Sequence, residues 1–116
     1  MAEVKHVVEK FGASAVRITW SDMGQGDTGE PVKFPLNQDR SAQVVGTFGT
    51  GGSIVIKGSN DGVNFVPLTD MRGNNLTISQ ARIEQIEDAS YAIAPEVSGG
   101  DGTTSLTVIL FARSGV

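Results

Sequence analysis

The stretch from Ser41 to Asp70, SAQVVGTFGTGGSIVIKGSNDGVNFVPLTD, restricts the fold more than any other part of the chain. Two runs rich in apolar and β-branched residues, Ala42 to Phe48 and Ser53 to Lys57, are separated by Gly49-Thr50-Gly51-Gly52. That loop length and composition read as a hairpin. In the next turn, Ser59-Asn60-Asp61-Gly62, Asn and Asp side chains can bond local backbone and Gly can take a positive φ. Phe65 to Leu68 follows it, so the expectation is an antiparallel meander of three strands.

The flanking segments carry the same signature. Ala15 to Trp20 alternates strictly, with Val16, Ile18 and Trp20 on one face and Arg17 and Thr19 on the other. Tyr91 to Val97 alternates again, and Ser98 to Thr104 reads as a hairpin loop leading to Ser105 to Arg113. In that last strand Leu106, Val108, Leu110 and Ala112 share one face, with Thr107, Ile109, Phe111 and Arg113 on the other. Both faces are largely apolar, so the strand is expected to be central, covered on both sides or on one side by a neighbouring subunit. Ser79 to Ala89 reads two ways. It is a short helix capped by Ser79 with Ile83, Ile86 and Ala89 on one face, or it is strand broken by a bulge.

Fifteen glycines in 116 residues favour a turn-rich all-β domain, since glycine suits tight corners and weakens helices. Turn signals every eight to twelve residues imply seven to eight antiparallel strands in a β-sandwich or small barrel, with at most one short helix. Residues 1–12 are expected to form an arm or edge strand, because Val4, Val7 and Val8 suit extended chain, and residues 13–116 a single domain. Asp22 to Pro35, with three glycines and two prolines, is expected to be a surface excursion and a contact surface, with a short edge strand at Val32, Phe34 and Leu36.

Net charge of −4, with nine Lys and Arg spread singly, leaves no basic stripe for a phosphate backbone, so no direct nucleic-acid partner is expected. The absence of cysteine excludes disulfides and thiolate sites. The start, Met1-Ala2-Glu3-Val4-Lys5-His6, lacks the apolar core of a signal peptide, and no run approaches the ~20 apolar residues of a membrane span. Synthesis in the cytoplasm of whatever cell produces the chain, with no membrane partner, is therefore expected.

Chemistry-bearing patterns are weak. His6 is the single imidazole and is read as a surface or arm residue, which leaves a serine nucleophile without a base. The acidic turns at Asp27, Asp61 and Asp101 lack the spaced carboxylates of a calcium loop and are read as turn chemistry. Glu30, Glu84, Glu87 and Asp88 fall in exposed contexts rather than as a paired acid and base. Trp20, Phe65 and Tyr91 are read as core rather than as a sugar-stacking platform. No enzyme, catalytic group, metal or cofactor is expected.

Val45-Gly46-Thr47-Phe48, Ser53 to Gly62 with its Gly58-Ser59-Asn60-Asp61-Gly62 turn, Phe65-Val66-Pro67-Leu68-Thr69-Asp70 and Ile93 to Gly102 followed by Leu106-Thr107-Val108 together resemble tailed-bacteriophage head decoration, or cement, proteins. The similarity covers roughly residues 41 to 113. The Ser-Asn-Asp-Gly turn is also similar to discoidin-type binding modules, and the alternative is a carbohydrate-binding module of a phage tail or adhesin. The resemblance implies an antiparallel β-sandwich, jelly-roll-like, serving as a non-enzymatic virion protein on the outer face of the capsid, binding the major capsid protein and tying capsomers together, as a homo-oligomer of two or three copies. Val4, Val7, Val8, Met23, Val32 and Phe34 are the expected partner contacts, being apolar and outside the main alternating strands.

Overall fold

Alternation decides which way each strand faces, and two glycine corners decide which sheet it joins. The computed structural model describes residues 2–33 and 39–114. The strands are β1 Glu3–Val4, β2 His6–Phe11, β3 Ala15–Met23, β4 Thr28–Gly29, β5 Val32–Lys33, β6 Asp39–Thr47, β7 Ser53–Ser59, β8 Val66–Pro67, β9 Thr77–Ile78, β10 Arg82–Ile86, β11 Ala92–Ser98 and β12 Ser105–Arg113. One sheet has the order β10-β6-β12-β3-β2. The other runs β1-β4-β11-β7-β8, with β5 added to β11 and β9 to β7. The result is an all-β sandwich of a five-stranded and a seven-stranded sheet, with no helix among the described residues. The count exceeds the expected seven to eight because five of the twelve are two-residue ladders.

The two glycine loops correct the expected meander. β6 and β7 do not pair: β6 lies between β10 and β12, whereas β7 lies beside β11 in the opposite sheet. Gly49 to Gly52 is therefore a corner between sheets rather than a hairpin turn, and Ser98 to Thr104 is a second such corner, between β11 and β12. The antiparallel ribbon β6·β12 passes into the ribbon β7·β11 through both corners, the jelly-roll arrangement. The corners are stitched together by side chains. The Thr50 N–H donates to Asp101 Oδ2 at 2.9 Å, and Thr104 Oγ1 donates to the Phe48 carbonyl at 2.9 Å. A Cβ at Gly49, whose φ is +71°, would lie 2.5 Å from both Asp101 Oδ1 and Thr104 Oγ1, so this close approach requires glycine. The second expected turn holds, and β7 pairs with β8 antiparallel across Ser59 to Asn64.

The core lies between the sheets. Ile18, Trp20, Val44, Val108 and Leu110 from the five-stranded sheet meet Ile54, Ile56, Leu68, Ile78 and Ile93 from the other, and all are buried. At roughly 1.5–3 kcal/mol per large side chain, this layer is the main favourable term in folding. Of the two readings of Ser79 to Ala89, neither the helix nor the bulged strand is realised. Arg82–Ile86 is an unbroken strand added to the β6 edge. A three-residue spacing puts Ile83 and Ile86 on opposite faces of a strand, so Ile86 is buried and Ile83 is exposed.

Candidate interaction surface

The outer face of the five-stranded sheet is set by register. Ile83, Gln43, Ile109, Thr19 and Val7 are successive cross-strand partners and form one row across all five strands. The next row is Gln85, Ser41, Phe111, Arg17 and Glu9. The third brings Asp39, Arg113, Ala15 and Phe11 together. The charges on this face are paired within it. Arg17 donates to both Glu9 carboxylate oxygens, at 2.9 and 3.0 Å, and Arg113 Nε donates to Asp39 Oδ2 at 2.8 Å. The Arg17 hydrogen bonds hold the Glu9 carboxyl below its ordinary value. Arg17 also stands 5.0 Å from the centre of the Phe11 ring, which is 6.3 Å from that of Phe111. A hollow of about 500 Å³ opens beside them, among Ser41, Ile83, Gln85 and Phe111. β12 is thus central, as its two apolar faces required, but its outer face is uncovered in the single chain.

A second apolar group sits on the seven-stranded side. Val63, Val66, Met71 and Tyr91 are exposed. Asp61 rigidifies the turn that carries Val63: its Oδ1 accepts from the N–H groups of Val63 and Asn64 and from the Ser59 hydroxyl, all within 2.8 Å, while Oδ2 accepts from Asn64 Nδ2. The N–H of Asn64 leads the set of donors that holds the Asp61 carboxyl far below the carboxylate range. The Tyr91 N–H donates to Asn60 Oδ1, tying the next strand start to the same turn. Tyr91 lies one residue before β11, so its side chain escapes the core expected for it. Phe65 is half-buried, and Trp20 is fully buried with Nε1 donating to the Glu30 carbonyl at 2.9 Å. With no face in solvent, Trp20 is no stacking platform. Asp27 and Asp101 likewise accept local N–H groups, from Gly24 and Thr103, as turn residues do.

Two solved structures are similar to this chain over nearly its whole length. The likeness is one of fold. The prophage-derived protein YomS of SPBc2 superimposes with a TM-score of 0.62 at 14% identity, over 93% of this chain and 99% of that one. A cupin domain from Bordetella pertussis Tohama I gives 0.52 at 7% identity, over 99% of this chain and 96% of that one. At such identities the shared feature is the jelly-roll sandwich. No protein-family profile matches the chain, and no curated protein matches it.

The six expected contact residues separate. Val7 and Val8 are exposed on β2, the edge strand of the five-stranded sheet, and Val4 is half-buried against the core. Met23 and Val32 are buried, at 0% and 8% exposure, and offer no surface. Phe34 lies outside the described residues. Asp22 to Pro35 is no free excursion over its described part either, because β4 pairs with β1 and β11, and β5 with β11. Met23 turns inward because of a bulge. Between the pairs Val108–Trp20 and Leu106–Met23, one residue of β12, Thr107, faces two of β3, Ser21 and Asp22, and Asp22 takes φ 55°. The extra residue shifts the parity so that Trp20 and Met23, three apart, face the same way. His6 packs its ring edge against Trp20 and lies 3.1 Å from Glu30 Oε1, so the expected surface residue is a half-buried joint between β2 and the β4–β5 connection. Ile83 is an exposed apolar residue of this face that the sequence pattern assigns to no surface, because it places Ile83 with Ile86 on one helical face or in separate strands. Ile109 and Phe111 stand on the second apolar face that the pattern of Ser105 to Arg113 already marks for cover.

Proposed function

We propose that this chain is a non-enzymatic virion protein that binds the outer surface of a phage head and ties neighbouring capsomers together. One observation carries the proposal: among the described residues the exposed large apolar side chains other than Val8, which shares the core-facing side of the β2 edge with Ile18, fall into two separate groups, Val7, Phe11, Ile83 and Phe111 on the outer face of the five-stranded sheet and Val63, Val66, Met71 and Tyr91 on the other side. A protein that bridges needs two surfaces to bury, and here both stand on strands or pinned turns that need no reordering on docking. The prophage origin of YomS and the resemblance of residues 41 to 113 to head decoration proteins support the same assignment. In this scheme the Val63 to Tyr91 group meets the major capsid protein, and many weak copies over a symmetric shell add up to firm retention.

The test is co-sedimentation with expanded, undecorated heads assembled from the major capsid protein of the same phage. The chain is expected to pellet with them at a fixed number of copies per shell, and a Val63→Lys, Met71→Lys double variant is expected to stay in the supernatant. Absence of pelleting by the wild-type chain would overturn the assignment.

A further inference from the structure

We propose that the outer face of the five-stranded sheet is a homodimer interface, filled by the same face of a second copy. Resting on the bridging scheme above only for its biological purpose, this inference names the occupant of one of the two surfaces.

Charge selects that occupant. The chain carries −4, yet on this face Glu9 is matched by Arg17 and Asp39 by Arg113, so the face itself is neutral. A basic partner would gain little here, whereas a second copy meets no net repulsion and buries apolar groups against apolar groups. Size agrees as well. Five strands about 4.8 Å apart, of 5 to 9 residues at about 3.3 Å each, present roughly 600 Å², at the lower end of the area per partner of a specific interface.

Shape is self-complementary. With a two-fold axis parallel to β12 and passing over Ile109, the order of strands is reversed between copies, so β10 of one copy lies over β2 of the other. Ile83 then meets Val7, Ile109 meets Ile109 and Phe111 meets Phe111, with Gln85 over Glu9. Phe11, which projects at the β2 edge, is placed over the 500 Å³ hollow flanked by Ile83 and Phe111. The apolar row that crosses all five strands thereby becomes the centre of the interface, and the two ion pairs fall toward its rim.

The experiment is a mass measurement by sedimentation velocity across 1–100 μM, with no heads present. The wild-type chain is expected at twice 12.1 kDa and to stay dimeric at 1 M NaCl, since its contacts are apolar. Val7→Lys and Ile83→Lys, at exposed positions that leave the core untouched, are each expected to weaken the dimer at least tenfold while keeping the wild-type thermal transition of the monomer. Val63→Lys is expected to leave the dimer intact. A 12.1 kDa species throughout the range, or a dimer indifferent to both lysines, would overturn the proposal. A monomer that still pellets with heads and loses that ability with Val7→Lys assigns the face to the capsid, and overturns the dimer while sparing head binding. A dimer that ignores heads does the reverse.

Discussion

Two aspartates hold the loops on which the sandwich turns. Asp61 organises the Ser59 to Asn64 turn, and Asp101 receives N–H and O–H groups from Thr50 and Thr103, which joins the two sheet-crossing corners. Both carboxyls sit far below their ordinary value of 3.8, Asp61 chiefly through the N–H of Asn64 and Asp101 chiefly through the Thr103 hydroxyl. A folded-state pKa below the unfolded one contributes stability that is fully present above the unfolded value and is lost as pH falls through the folded value. Urea midpoints are therefore expected to be flat down to about pH 5 and to fall progressively below 3.8. A variant with Asp61→Asn and Asp101→Asn should have a lower midpoint at pH 7 and a shallower acid slope; an unchanged slope would remove the two carboxylates as its source. Asp61 was legible in the sequence as a turn residue, because Asx turns are local. The partners of Asp101 were not, since Thr50 lies 51 positions away.

Strand existence and facing were readable wherever alternation ran unbroken, as in Val16, Ile18, Trp20 and in Leu106 to Ala112. Sheet membership was not, because a glycine loop looks the same whether its strands pair or cross between layers. Burial of Met23 was hidden by the bulge at Asp22, which no periodicity announces. Met23→Ala is accordingly expected to cost about 2–5 kcal/mol, as a core truncation rather than a surface change, measured by urea unfolding. Gly29 gives a second check on the β4–β11 packing. A Cβ there would lie 2.6 Å from Pro95 Cδ and Cγ and 2.9 Å from Trp20 Cδ1. Gly29→Ala should therefore destabilise by roughly 1–3 kcal/mol through overpacking. A neutral result would mean that the β4 edge yields freely. The N-terminal residues act as sandwich rather than as a loose arm: β2 pairs with β3 along its length, and Ala2 N donates to Asp27 Oδ1.

At the scale of the whole molecule, the sandwich presents one neutral apolar face and, away from it, an apolar group around a pinned turn. The sequence resemblance pointed toward a head-binding role, and its Gly58-Ser59-Asn60-Asp61-Gly62 stretch became the turn beneath Val63. The apolar face took shape only once register aligned Ile83, Ile109 and Val7, residues more than 100 positions apart at the extremes. A bridge between capsomers must make the shell harder to open, beyond merely sitting on it. The temperature at which undecorated heads of the same phage release their contents, followed with and without added chain, tests this most directly. Saturating protein is predicted to raise that temperature, and the Val7→Lys variant to raise it less while still binding. Heads that bind the chain at saturation yet open at an unchanged temperature would contradict a cementing role.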